Sequence, residues 1–117
     1  MPVTIEDVRE IASGLERSYE VTVRGRIKFR VGQIVYLAFS RDETLLGFAF
    51  PKEEREALVG TWPDKYLMPE EADLRFHWAV VRLDAIDRDE LRELVIDAWA
   101  MVVPKFLSAP YRVGDDG

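Results

Sequence analysis

Four cations at alternate positions of one short stretch are the sequence feature with the clearest chemical potential. The stretch VRGRIKFRVG (23–32) places Arg24, Arg26, Lys28 and Arg30 two residues apart, with apolar side chains filling most of the gaps. Alternate side chains of an extended chain point to opposite faces, so the pattern predicts one strand with all four cations on one face. Such a face is either solvated or directed at an anionic ligand.

Aromatic side chains are predicted to share this basic face. Tyr36 lies in the next predicted strand, and Trp78 and Arg82 lie in a later one. Cations interleaved with aromatic rings on a sheet are typical of phosphate contact combined with base stacking. The alternative is a solvated face whose arginines pair with acids such as Glu43 or Asp84. The residues predicted to bind nucleic acid, and DNA in particular, are Arg24, Arg26, Lys28, Arg30, Tyr36, Trp78 and Arg82.

Apolar residues near the edge of the expected core indicate a second kind of binding. Trp62, Tyr66 and Met68 lie in a proline-bounded loop, and Ile96 and Val103 lie on the last helix. The last two are about 120–140° from the centre of that helix's apolar stripe, at 100° per residue. These five residues either cover the core or contact a partner, which would be a second copy of the chain or a peptide.

Catalytic and metal-binding chemistry has little support in the sequence. His77 is the only histidine, and a lone histidine beside Trp78 in a strand is more often structural than a general base. The carboxylates are mostly explained by helix starts and solvation, although a glycosidase-like pair stays open because the sequence does not show separation in space. There are no cysteines and no glycine-rich phosphate-binding motif. We expect a protein without enzymatic activity, metal or cofactor.

The overall charge argues against a generic binder of polyanions, but the charge is unevenly spread. The 117 residues are 48% hydrophobic and 32% charged, with a formal net charge of −6. Between Val21 and Arg41 there are five basic residues and no acidic ones. Because screening acts over about 8 Å at physiological salt, a local basic face can act within a negative protein.

Length and hydropathy predict one soluble domain. Residues 1–112 are expected to form a single domain and residues 113–117 a short flexible tail. The first residues lack the charged and apolar regions of a secretory signal, and no apolar run is long enough to span a membrane. We expect a cytoplasmic protein that does not enter a membrane.

The pattern of elements predicts the α+β class. Predicted helices begin at Thr4, Pro51 and Asp87, and predicted strands cover residues 27–31, 34–39, 45–50 and 77–83. Residues 60–76 are expected to hold a short strand or a functional loop. Short turns between the early strands predict a single antiparallel sheet with helices packed mainly on one face. Trp99 and Leu94, at the centre of the last helix's stripe, are expected to be buried.

Two segments resemble the MmcQ/YjbR family. The first combines His77-Trp78, Leu83-Asp84, Glu90-Leu91 and Asp97-Ala98-Trp99, and the second is FRVGQIVYLAFS followed by PKEEREAL. The resemblance extends from about Thr4 to Leu107, and the order of the motifs carries more weight than any one of them. The sequence departs from the family pattern in having Ala98-Trp99 where members have Ser-Tyr, and Ala79 where many have a polar residue.

The resemblance implies a fold related to the double-wing DNA-binding domain and to the secretion-chaperone-like fold. The first relationship implies DNA binding. The second implies a protein- or peptide-binding module that is often dimeric, and the sequence pI of about 4.8 fits this second reading better. Fold alone does not establish either function.

Overall fold

A six-stranded antiparallel sheet forms the centre of the protein in the computed structural model, which describes residues 2–111. The strand order is β1-β2-β3-β4-β6-β5. This architecture confirms the predicted α+β class and the single antiparallel sheet. In chain order the elements are α1 (Ile5–Ala12), β1 (Ser18–Val23), β2 (Arg26–Val31), β3 (Ile34–Phe39), β4 (Leu45–Ala49), α2 (Lys52–Thr61), β5 (Tyr66–Leu67), β6 (Trp78–Arg82), α3 (Arg88–Ala100) and α4 (Lys105–Ser108), with short 3₁₀ turns at Glu71–Asp73, Leu83–Ala85 and Ala109–Tyr111.

The helices α1 and α3 begin where the sequence predicts. The Asp7 carboxylate accepts the backbone N–H of Thr4 at 2.8 Å, and Asp87 accepts the N–H of Glu90 at 2.8 Å. The carboxylate of Glu90 in turn accepts the N–H of Asp87 at 3.1 Å. These reciprocal bonds satisfy donors that a helix start otherwise leaves without partners.

The hydrophobic core lies between one face of the sheet and the helices α1 and α3. Trp99 is fully buried and Leu94 is 8% exposed, as the helical stripe predicts. The indole Nε1 of Trp99 donates to the carbonyl oxygen of Glu16 at 2.9 Å, which satisfies its polar group inside the core. From the sheet, the core includes Phe29, Leu37, Phe39, Leu46, Phe48, Ala79 and Val81.

The stretch 23–32 is a turn and a strand, and the expectation of one continuous cationic strand is wrong. Val23 pairs with Arg26, so Arg24 and Gly25 form the two-residue turn of the β1–β2 hairpin. Both have positive φ, 52° and 79°, which a type I′ turn requires. Strand β1 was missed, although its alternating Tyr, Val and Val side chains carry the period of a strand.

Tyr36 lies on the core side of the sheet, contrary to the expectation that it shares a face with Lys28 and Arg30. The register between β2 and β3 shifts at a bulge, since Phe29 pairs with Leu37 but Arg30 pairs with Val35. A bulge places one unpaired extra residue in a strand and turns its side chain. The Tyr36 side chain is fully buried.

The hydroxyl of Tyr36 is tied down inside the protein. It shares a hydrogen bond of 2.6 Å with the hydroxyl of Ser18. Burial raises the pKa of Tyr36 to about 12. A fully buried ring has no free face, so Tyr36 is unavailable for base stacking.

The segment from residue 60 to residue 76 contains the short strand β5 and a 3₁₀ turn, as expected for a connection of this length. Within residues 2–111, no helix has both the length and the apolar character that crossing a membrane requires. The predicted tail, residues 113–117, lies outside the described residues.

Candidate functional site: an open face of the sheet

The sheet has a second face that the helices α1 and α3 do not cover, called here the outer face. Its middle row is set by the strand register, in which Lys28 lies opposite Ala38, Ala38 opposite Gly47, and Gly47 opposite Val80. On one side of this row lie Arg26 at the start of β2 and the pair formed by Leu45 and Arg82. The outer face therefore has small residues at its centre and cations toward one end.

A groove with a volume of about 740 Å³ lies on the outer face, called here the outer groove. Strand β2 forms one wall, the chain from Leu67 to His77 supplies the other, and Trp78 of β6 lies on the floor between them. Because β2 and β6 are three strand spacings apart, the part of the sheet between them is about 14 Å wide. Its lining residues are Arg26, Lys28, Ile34, Val35, Ala38, Ser40, Leu45, Gly47, Ala49, Leu67, Met68, Pro69, Glu70, Asp73, Phe76, His77, Trp78, Val80, Met101 and Val102.

Within residues 2–111, the cations of the outer face have no carboxylate partners. No ion pair joins any of them to an acidic side chain of residues 2–111, although Arg9, Lys65 and Arg88 elsewhere all have carboxylate partners. The pairing with Glu43 or Asp84 considered from the sequence is therefore not formed. The cations concerned are Arg24, Arg26, Lys28, Arg30 and Arg82.

These cations differ in how free their side chains are. Arg24 is exposed in the hairpin turn, and Lys28 is half-buried on the wall of the outer groove. Arg26 is exposed, but its Nε donates to the carbonyl oxygen of Phe39 at 3.0 Å. Arg30 is half-buried, and its Nε is buried without a partner among the described residues. Arg24, Arg26 and Lys28 are the best placed for a ligand.

Arg41 adds a cation that the site prediction did not include. Its Nη1 would lie 3.7 Å from a Cβ placed on Gly25, so its guanidinium approaches the β1–β2 turn. The signal was present in the sequence, because Arg41 ends the stretch without acids. Only the antiparallel pairing of β2 and β3 brings it close to the start of β2.

Trp78 provides an aromatic side chain in the outer groove, on the same face of the sheet as Lys28. The residue is half-buried, and its indole lies over Gly47. A Cβ placed on Gly47 would be only 2.6 Å from both Nε1 and Cζ2 of this indole. Gly47 is itself the sequence signal for this contact, because a glycine inside a strand often marks a close approach by another group.

The wall opposite β2 is acidic. Glu70 and Asp73 line the outer groove from the chain that follows β5. Neither has an ion pair with a basic side chain of residues 2–111. The sequence assigned these carboxylates to solvation, and no local pattern shows that they face Lys28 across a groove. The outer groove thus has one basic and one acidic wall.

Arg55 and Lys52 of α2 hold the acidic wall in place. The guanidinium of the buried Arg55 donates to the carbonyl oxygens of Leu74, Phe76 and Trp78 at 2.8, 3.1 and 2.9 Å. The ammonium of Lys52 donates to the carbonyl oxygen of Arg75 at 3.2 Å. These four bonds give partners to backbone carbonyl groups of the irregular segment before β6 and of the first residue of β6.

His77 has a structural contact. Its Nδ1 accepts the backbone N–H of Lys52 at 3.1 Å, at the first residue of α2. This bond satisfies one of the donors that a helix start leaves free. The arrangement agrees with the structural interpretation of the lone histidine. Among residues 2–111 there is no group of three side chains that could hold a metal ion.

The residues predicted to contact a protein partner do not form one surface. Trp62 is 53% exposed, with the Lys65 ammonium 5.3 Å from its ring centroid, and Met68 lines the outer groove. The Tyr66 ring packs against Phe48 on the core side, with centroids 6.1 Å apart.

The two partner residues predicted on the last helix are also part of the packed interior. Val103 is 9% exposed and belongs to the core, and Ile96 packs against it. Of the two alternatives left open by the sequence, coverage of the core describes the positions of Ile96 and Val103. The chain turns after Ala100, so Val103 no longer follows the helical spacing from which its position was inferred.

Comparison with known proteins identifies the family. The model of the YjbR family matches residues 13–101, which is most of the chain. The chain belongs to the YjbR family. This confirms the resemblance seen in the sequence. No curated protein matches the chain.

A solved structure supports the same fold. The chain is similar to the crystal structure of Deinococcus radiodurans protein DR2400, which has a DUF419 domain, with a TM-score of 0.74. The two share 22% sequence identity, and the match covers 92% of this chain and 86% of the other. At this identity the likeness establishes the fold and does not extend to function.

Proposed function

We propose that this YjbR-family domain is a non-enzymatic DNA-binding domain that contacts DNA phosphates through the outer face of its sheet. One observation carries the proposal: the cations of that face lack carboxylate partners among residues 2–111, although the chain has 22 acidic side chains. The proposal also includes a cytoplasmic location and the relationship to the double-wing fold, which the sequence resemblance implies.

The positions of Arg24, Arg26 and Lys28 favour an anionic ligand that extends along β2. Arg26 and Lys28 are alternate residues of one strand and therefore lie about 7 Å apart on the same face. Arg24 adds a third cation in the hairpin turn that precedes β2. Single charges spaced along a strand match a ligand with one phosphate per unit. The net charge of −6 opposes DNA at long range, so binding depends on the local phosphate contacts of the outer face, which weaken as the salt concentration rises.

A protein-binding function has weaker support. The residues expected to contact a partner are divided between the core, the outer groove and an isolated tryptophan. A peptide in the outer groove would compete with DNA for the same walls. If no DNA binds at 50 mM salt, a peptide becomes the expected ligand of the outer groove.

Fluorescence anisotropy with short labelled DNA tests the proposal. Three phosphate contacts give a log–log salt slope near −2 on a single strand and near −3 on a duplex. The affinity is thus expected to fall by about 20-fold to 40-fold between 50 and 200 mM salt. Lys28→Gln is expected to weaken binding and to reduce the size of the slope by about 0.7 to 0.9.

Lys105→Gln is the matched control, because it removes the same charge from an exposed residue outside the outer groove. It is expected to leave the salt slope unchanged. Absence of DNA binding at 50 mM salt would reject the proposal. Equal losses in the two lysine variants would also reject it, since net charge rather than the outer face would then determine affinity.

A further inference from the structure

We infer that the preferred ligand of the outer groove is single-stranded DNA, with its phosphates along β2 and the amino groups of its bases toward Glu70 and Asp73. This inference rests on the proposed DNA-binding function and names the class of DNA. It follows from three features of the groove: two walls of opposite charge, a limited width, and an aromatic ring on the floor.

The opposite charges of the two walls favour a ligand that is anionic along one edge only. Lys28 lies on one wall, and Glu70 and Asp73 lie on the other. A duplex has a phosphate backbone along both edges, so one of its backbones would face the carboxylates. A single strand directs its phosphates to one side and its uncharged bases to the other. The groove thus complements a single strand and repels a duplex.

The width of the outer groove leads to the same choice. Three strand spacings give about 14 Å between β2 and β6. A duplex does not enter such a space, because its major groove alone is about 12 Å wide and two backbones flank it. One backbone with its bases fits. The volume of about 740 Å³ is also within the range of sites that enclose small ligands, so a few nucleotides fill it.

Trp78 supplies a surface on which an unpaired base can stack. The Nε1–Cε2–Cζ2 edge of its indole lies next to Gly47, and the residue lines the outer groove. Stacking on an aromatic side chain requires a base that is free of a partner strand. Because packing against the sheet already holds the ring in place, stacking a base on it costs little side-chain entropy.

The acidic wall adds a preference among bases. A carboxylate accepts a hydrogen bond from the exocyclic amino group of cytosine. Uracil has a carbonyl oxygen at that position, and its one ring donor lies between two carbonyl oxygens that repel a carboxylate. Glu70 and Asp73 therefore favour deoxycytidine over deoxyuridine, two pyrimidines of almost the same size and stacking surface.

Anisotropy at neutral pH and 50 mM salt with labelled oligomers of about eight nucleotides tests the inference. Oligo-deoxycytidine is expected to bind about tenfold more tightly than oligo-deoxyuridine, which corresponds to one well-formed base contact. A duplex of mixed sequence is expected to bind more weakly than either. An RNA oligomer of cytidine that binds tenfold more tightly than its DNA counterpart would overturn the assignment to DNA.

The variant Glu70→Gln with Asp73→Asn is expected to abolish the preference for deoxycytidine, because amides also donate to the carbonyl oxygen of uracil. Glu54→Gln with Glu56→Gln is the matched control: it removes the same number of charges from exposed positions of α2 that do not line the groove. The control is expected to keep the tenfold preference.

The outcomes separate this inference from the proposal on which it rests. If single strands and duplex bind equally and without base preference, the DNA-binding function stands and the single-strand assignment is wrong. If the preference survives in the Glu70→Gln, Asp73→Asn variant, the assignment of the amino groups to the acidic wall is wrong. If no DNA binds, both are wrong.

Discussion

Replacing Gly47 by alanine should push Trp78 out of its position in the outer groove. The added Cβ would lie 2.6 Å from Nε1 and Cζ2 and 2.8 Å from Cε2 of the indole. Favourable carbon contacts begin near 3.5 Å, so the ring must move by about 1 Å. The backbone at Gly47 does not have positive φ, and an alanine there is therefore strained by the indole alone.

The expected loss of stability follows from this overlap. Forcing one extra carbon atom into a packed site costs about 1–3 kcal/mol. For a chain of this size, each kcal/mol lowers Tm by about 4 °C, so a decrease of about 4–12 °C is expected. The indole is a rigid ring and not the flexible end of a side chain, which leaves few ways to relieve the contact.

Thermal unfolding and tryptophan fluorescence measure the two effects. Trp62→Phe removes the most exposed indole, so the remaining change in emission reports on Trp78 and the buried Trp99. Gly60→Ala is the matched control, because no atom lies within 4 Å of the added Cβ and the residue is inside α2. Alanine there is expected to stabilise the protein by up to about 1 kcal/mol.

A double-mutant cycle gives the decisive comparison. In a Trp78→Ala background, Gly47→Ala should be nearly neutral, because the atoms that it meets are gone. If Gly47→Ala leaves Tm and Trp78 emission unchanged, or destabilises both backgrounds equally, then the indole does not lie over Gly47. The floor of the outer groove would then differ from the one described.

Three further predictions concern the fold. Trp99→Ala should cost about 3–5 kcal/mol in urea unfolding, because it leaves a large cavity in the core; an unchanged midpoint would contradict the burial of this ring. Arg24→Asn should stabilise the hairpin by up to about 1 kcal/mol in the same assay, because Asn-Gly suits a type I′ turn better than Arg24-Gly25 does, whereas Arg24→Ala should not. The folded state holds the Tyr36 proton to about pH 12 and the unfolded state only to about pH 10, so stability should fall as pH rises between these values. Tyr36→Phe should lower stability at neutral pH by about 1 kcal/mol through loss of the bond to Ser18, and a loss above pH 10 as steep in this variant as in the unchanged protein would contradict the role of Tyr36.

The long, regular elements of this fold could be predicted from the sequence. Helix starts at Thr4 and Asp87 depend on residues three positions apart, and the burial of Trp99 follows from one helical stripe. All of these are local relations within a few turns of chain. The class of the fold then follows from the order of the elements and the short turns between the early strands.

The sequence-based predictions were wrong where a single residue changes the backbone geometry of a strand. Arg24 and Gly25 were counted as part of a strand, although a positive φ at both positions makes them a turn. Tyr36 was assigned to the wrong face because a bulge inserts one residue without any distinctive sequence. Strand alternation is reliable only between such irregularities.

Only the basic wall of the candidate site could be predicted from the sequence. The basic wall is contiguous along β2 and could be recognised from its spacing. The acidic wall is separated from it by about 40 residues and reaches it only through the strand order, in which β6 lies between β4 and β5. The position of Glu70 and Asp73 also depends on Arg55, whose carbonyl partners no sequence pattern identifies.

Backbone amide NMR during titration with oligo-deoxycytidine at 50 mM salt tests the central claim most directly. If DNA lies along the outer face, the largest shifts should occur at the middle row of the sheet, at Lys28, Ala38 and Val80, and at the indole N–H of Trp78. Amides of α1 and α3 on the opposite side should change little. Shifts concentrated on those helices, or no shifts at all, would contradict DNA binding by the open face of the sheet.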